Sequence, residues 1–129
     1  MELYIYDSSG KDLYLDMMQE LWKDAALVIA VFDVTSDRSL EHISGWLSKL
    51  EKSAPLSSLT GVIVGSKTDL KERRVVSSKK GQETTKSFNF QYFESSAKEA
   101  EGVEEPFFYL ANEWHKLCTE RAESFRTVI

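Results

Sequence analysis

A chain of 129 residues is one domain's worth of sequence, and 42% hydrophobic with 29% charged residues is the balance of a folded globular protein, not a disordered tail. A net charge of −5 argues against nucleic acid as the main partner, because phosphate binding favours a basic surface. The single cysteine, Cys118, excludes an internal disulfide framework and a cysteine-based zinc cluster, no apolar run approaches the roughly 18 residues of a membrane span, and no secretory-signal pattern opens the chain.

Residues Glu2 to Tyr6 alternate and are rich in β-formers, so they read as a strand ending at Asp7. Asp12 to Leu21 reads as a short helix. Leu27 to Phe32 is an unbroken apolar run, the pattern of a parallel strand covered on both faces. From Ser36 to Lys52, Leu40, Ile43, Leu47 and Leu50 fall at helical spacing, with Ser36 or Asp37 as the cap. Gly61 to Val64 is a second apolar strand, Ser77 to Phe88 a weaker helix, and Phe90 to Glu94 a short strand. In the last helix Val103, Phe107, Leu110, Trp114 and Leu117 form one stripe, and Pro106 is tolerated in its first turn. Trp22, Trp46 and Trp114 read first as packing residues. His42 and His115 read as solvated, as does the basic stretch Lys71, Arg73, Arg74, Lys79, Lys80.

Strands alternating with helices predict an α/β fold with a parallel sheet, and ligands in such sheets bind beyond the carboxyl ends of the strands. Three loops stand there. Asp7-Ser8-Ser9-Gly10 follows the first predicted strand, Gly65-Ser66-Lys67-Thr68-Asp69 follows the third, and Glu94-Ser95-Ser96-Ala97-Lys98 follows the last. In that order they resemble the D-x-x-G, N-K-x-D and S-A-K motifs of the small GTPases of the Ras and Rab family, from Leu3 to about Arg121. The resemblance implies a three-layer α/β/α fold and GTP or GDP bound with magnesium.

It also implies roles. Asp69 would accept both donors on one edge of guanine, an edge where adenine offers an acceptor that a carboxylate repels. The stem of Lys67 would lie over the base, and the Ser96-Ala97-Lys98 loop would turn the Ala97 N–H toward the guanine carbonyl. Asp7 would approach the magnesium through water, and the N–H of Gly10 would meet the γ-phosphate.

The departures from the family pattern carry as much information. The 129 residues contain no G-x-x-x-x-G-K phosphate loop and no switch threonine after one. The expectation is therefore a single, N-terminally incomplete GTPase domain that starts at the family's third strand, from a fragment, a short isoform or a mis-started gene model, with Met1 an internal methionine. Losing the central strand would leave unpaired ladders beside it. Lys11 stands where the family carries a water-orienting glutamine, and lysine donates hydrogen bonds but accepts none, so no catalytic residue is assigned. Ser66 replaces the usual asparagine and loses its amide contacts. The end Phe125-Arg-Thr-Val-Ile129 has no terminal cysteines to prenylate, so no lipid anchor is expected.

Lys11 in Tyr6-Asp-Ser-Ser-Gly-Lys11, Leu21-Trp22, Val31-Phe-Asp-Val-Thr35, Ser44-Gly-Trp-Leu47 and Glu105-Pro-Phe107 resemble the Rab-like subfamily that serves the intraflagellar transport B complex. That implies a small β-sandwich subunit of the complex as heterodimer partner, further transport-complex subunits, BBSome-related machinery, and a location in cytoplasm and cilium. Trp46 and Phe108 are the candidate anchors of a partner surface. The rival reading is a nucleotide-independent pseudo-GTPase scaffold that only binds protein partners; a flavodoxin-like or response-regulator domain is disfavoured by the Lys67–Asp69 and Ser96–Lys98 loops.

Overall fold

The computed structural model describes residues 2–127, so Met1 and the last two residues, 128 and 129, with what was expected of them, lie outside the described residues. A 3₁₀ turn at Asp12–Tyr14 leads into α1 (Leu15–Trp22), followed by β1 (Leu27–Asp33), α2 (Asp37–Glu51), β2 (Thr60–Ser66), α3 (Ser78–Lys86), β3 (Gln91–Glu94) and α4 (Glu105–Thr127). The three strands form one sheet in the order β1-β2-β3, parallel throughout, with Val28 opposite Gly61 and Ile63 opposite Tyr92. Parallel neighbours need crossover connections, and α2 and α3 supply them.

Strand alternation sends successive side chains of β2 to opposite faces. Ile63 joins Phe32, Leu40, Ile43, Leu47, Leu50 and Phe90 under α2, while Val62 and Val64 meet Leu110 of α4 on the other face. The sheet is thus sandwiched between helices, the α/β/α layering expected. Phe90 lies flat on the backbone of Gly61, where a Cβ would come within 2.5 Å of its ring. Both crossover helices begin at a serine: the Ser36 side chain accepts from Ser39 N–H, and the Ser77 side chain from Lys80 N–H. Each such cap satisfies an amide that the helix leaves without a partner and contributes about 1 kcal/mol.

Three expectations need correction. Glu2 to Tyr6 forms no strand; its tyrosines and Ile5 are more than two-thirds exposed. A strand exists only by pairing, and no described residue pairs with this segment. The tie to α1 comes two residues later, where Trp22 Nε1 donates to Ser8 Oγ at 3.0 Å. Secondly, β1 is covered on both faces but incompletely: Val28, Ala30 and Phe32 pack on the α2 side and Leu27 and Ile29 on the α4 side, most of them only half-buried. It is the edge of the sheet with its second ladder unpaired among the described residues, and Val31 is 58% exposed, whereas every interior residue of β2 is buried. Thirdly, Arg74 is not part of a solvated basic face, although Lys71, Arg73, Lys79 and Lys80 are exposed; Arg74 is half-buried against Glu94.

Of the predicted stripe Val103 lies before α4 and is exposed; on α4 only Leu110 is fully buried, Phe107 and Trp114 are half-buried, and Leu117 is exposed. Trp46 packs edge-on against Trp22 with centroids 6.3 Å apart and carries the Lys49 ammonium 4.4 Å above its ring, which is a packing role. Phe108 is 63% exposed, and His42 and His115 lie on the surface as expected. Among the described residues no helix is long and apolar enough to cross a membrane.

Candidate functional site

The chain leaves β2 at Ser66 and turns at once. The Ser66 carbonyl accepts Val34 N–H at 3.1 Å, Lys67 adopts a left-handed backbone with φ 66°, and Leu70 N–H closes the turn on the Lys67 carbonyl at 3.1 Å. A lysine in that conformation costs on the order of 1 kcal/mol, so its surroundings must enforce it. They do so from the end of β3. Ser95 N–H donates to the Gly65 carbonyl at 2.9 Å, and the Ser95 carbonyl accepts Thr68 N–H at 3.2 Å.

Ser96 is fully buried and pairs with Glu101 in an antiparallel bridge, Ser96 N–H to Glu101 carbonyl at 2.9 Å and the reverse bond at 3.0 Å. This bridge folds Ala97 and Lys98 into an exposed tip above it. The Ser96 hydroxyl donates to Asp69 Oδ1 at 2.7 Å and accepts Glu99 N–H at 3.1 Å. The Ser96 bond engages one oxygen of the Asp69 carboxylate, Oδ1. Ser66, Lys67, Asp69, Ser96, Ala97 and Lys98 are therefore brought together at the carboxyl ends of β2 and β3.

Lys67 reaches the end of β1, where Nζ lies 2.7 Å from Asp33 Oδ2. The other oxygen of Asp33 accepts the N–H of Thr35 at 2.8 Å and its hydroxyl at 2.7 Å. Burial pushes the Asp33 carboxyl up, but hydrogen bonds from Lys67 and Thr35 outweigh it and hold the pKa at about 2. The folded chain thus gives up this carboxylate's proton more readily than the unfolded chain. Stability from the pair is present above the ordinary value of 3.8 and is lost as pH falls from there toward 2. Because the Lys67 end is more than half exposed, Asp33→Asn is expected to cost only about 1 kcal/mol at pH 6. Urea unfolding should show that difference shrinking through the window from pH 4 to pH 2; a difference constant with pH would place the loss elsewhere.

Asp7, Gly10 and Lys11 stand apart. They lie in the exposed segment before α1, and among the described residues no hydrogen bond or ion pair joins them to Lys67, Asp69 or Ser96. No group of three or more acidic, histidine or cysteine side chains is poised to hold a metal among the described residues. Asp69, held at Oδ1 by Ser96, presents a carboxylate at the joined strand ends, and the described residues beside it do not by themselves fit the magnesium-phosphate half of a nucleotide. Two residues of the arrangement escaped the reading of the sequence. Arg74 looked like one charge in a basic run, and only pairing across the fold distinguishes it. Gly102, at φ 63°, passes so close to the Glu94 carbonyl that a Cβ would lie 2.2 Å from its oxygen; a glycine closing a loop just before a helix was the available signal.

The Ras family model matches residues 1–116. The chain is 41% identical to Intraflagellar transport protein 27 homolog of Homo sapiens over 128 residues, which is 99% of this chain and 69% of that protein. To the Bos taurus protein of the same name it is 40% identical over 129 residues, all of this chain and 69% of the other. Ras-related protein Rab-30 of Homo sapiens is 34% identical over 111 residues, 86% of this chain and 54% of that protein.

Proposed function

Because this chain belongs to the Ras family, we propose that it is the base-recognising and partner-presenting part of a Rab-like small GTP-binding protein of the intraflagellar transport B complex, acting in ciliary cargo transport. The observation that carries the reading is the Asp69–Ser96 pair at the joined ends of β2 and β3, in a chain about 40% identical along its whole length to intraflagellar transport proteins. Asp69 is the guanine acceptor, with Ser66, Lys67, Ala97 and Lys98 around the base. Asp7 and Gly10 belong to the magnesium and γ-phosphate side, and Lys11 disfavours fast hydrolysis because lysine cannot accept from a water. Partners are subunits of the complex, among them a small β-sandwich protein and BBSome-related machinery, in cytoplasm and cilium.

Affinity purification of the tagged chain from ciliated cells is expected to recover transport-complex subunits. Recovery of none of them would overturn the assignment to the complex.

The scaffold reading has one specific support: the described phosphate-side residues do not converge on the base loops. Base contacts alone cannot replace magnesium and phosphate interactions, which supply much of a nucleotide's binding energy. Purified residues 1–129 are therefore expected to bind GDP with a dissociation constant weaker than roughly 10 μM, about −7 kcal/mol. Sub-micromolar binding in calorimetry would contradict this and would remove the scaffold reading.

A further inference from the structure

Glu94, the last residue of β3, collects hydrogen bonds from three side chains. Arg74 donates from Nη1 at 3.1 Å and from Nη2 in a closer contact, Ser78 Oγ donates at 2.8 Å, and Tyr92 Oη donates at 2.8 Å. Four of the guanidinium's five N–H groups are engaged, since Nε donates to the Val76 carbonyl at 2.7 Å and Nη2 also reaches Ser78 Oγ at 3.2 Å. Both side chains of the ion pair are about one-quarter exposed. The Arg74 hydrogen bond holds the Glu94 carboxyl below its ordinary range, and the same bond raises Arg74. Burial, with Glu94 beside it, keeps the Tyr92 phenol protonated and hence a donor. A planar fork on a carboxylate fixes orientation as well as distance.

The position of this network matters more than its strength. Arg74 stands five residues after Asp69, and Glu94 two residues before Ser96. The two loops of the base site are thus tied twice, in front by Ser96 to Asp69 and behind by Arg74 to Glu94. Between the ties lie the Ser95 backbone bonds to Gly65 and Thr68, and the left-handed Lys67. Neither the β2–β3 ladder nor the Ser77 cap of α3 requires Arg74. Its fork adds a side-chain tie from the segment that follows β2 to the residue that ends β3, beyond the Gly65–Glu94 pair of the ladder and the backbone bonds of Ser95.

We propose that Arg74 and Glu94, supported by Ser78 and Tyr92, are positioning residues that hold the Asp69 loop and the Ser96 loop at the spacing base recognition needs. The consequence for the base rests on the guanine reading of Asp69; the clamp itself does not.

Hydrogen exchange on the full 129-residue chain separates a clamp from general stabilisation. In Arg74→Ala, the amides of Thr68, Ser96, Glu99 and Glu101 are expected to exchange about tenfold faster, while those of α2 and of the β1–β2 ladder change less than about twofold. Arg74→Lys keeps the charge but loses the fork, and should fall between the two. Equal acceleration in every element would overturn the proposal, because Arg74 would then only stabilise the fold. Unchanged exchange in both loops would overturn it as well.

If Arg74→Ala fails to fold, Tyr92→Phe removes one of the bonds to Glu94 and leaves the ion pair. It should loosen the same four amides by about threefold, with the same two outcomes against the proposal. No nucleotide enters this experiment, so its failure is distinct from that of the guanine reading. Loosened loops together with an Asp69 variant of unchanged base preference would leave the clamp standing and the base reading refuted.

Discussion

In a form of the protein long enough to carry a phosphate-binding loop, Asp69→Asn is expected to weaken guanine nucleotide binding roughly a hundredfold or more, since bonds to a charged acceptor are worth about 1.5–3 kcal/mol each. The Ser96 hydroxyl is the side-chain partner that orients the new amide. Ser96 Oγ donates to Oδ1 of residue 69 and is itself held by Glu99 N–H. With the asparagine carbonyl keeping that bond, the amide NH₂ stands where Oδ2 now stands. One of guanine's paired donors would then face a donor instead of a carboxylate oxygen. Xanthine, which carries a carbonyl in place of the exocyclic amine, should gain affinity in the variant, because sites built on polar complementarity discriminate most strongly by such reversals. Competition between guanine and xanthine nucleotides for the wild-type and variant proteins reads both effects. An unchanged preference for guanine would place the base pocket elsewhere.

Alanine at position 102 is expected to cost about 3 kcal/mol and to lower the melting temperature by roughly 10 °C. Two costs coincide there. The backbone has φ 63°, where a side chain other than glycine is strained by about 1–2 kcal/mol. The added Cβ would also stand 2.2 Å from the Glu94 carbonyl oxygen, a backbone atom with no rotamer to change. Relief requires moving the Glu94–Ser95 backbone, which also carries the Arg74 clamp and the bond to Gly65. Gly45 is the control. It lies inside α2 with nothing within 4 Å of an added Cβ, so Gly45→Ala should stabilise by about 0.5–1 kcal/mol. Differential scanning calorimetry of the two variants should move in opposite directions; equal and small shifts would mean that the loop yields at position 102 without cost.

Local chemistry in the sequence determined most of the elements. The apolar runs at Leu27 and Gly61 are strands because continuous β-branched and aliphatic residues suit a sheet buried between helices. The helix from Asp37 begins where Ser36 can cap it, and its apolar face is the one that Leu40, Ile43, Leu47 and Leu50 define by spacing. The meeting of Lys67–Asp69 with Ser96–Lys98 was legible too, because both follow neighbouring strands of a parallel sheet.

Pairing and proximity between distant residues were decided only by the tertiary structure. Glu2 to Tyr6 has the composition of a strand but finds no ladder, and composition cannot provide the second half of a hydrogen bond. β1 has the pattern of a central strand, yet its open edge leaves Val31 exposed. Leu117 continues the α4 stripe in sequence, yet it is exposed in the fold. Arg74 shares a basic stretch with four exposed neighbours, and only a carboxylate twenty residues away separates it from them. Gly102 needs its missing side chain because another segment's carbonyl passes through that space. Propensity and periodicity are set by residues a few positions apart, so the sequence determined them; burial, strain and ion pairing depend on which surfaces meet, and only the folded chain decides that.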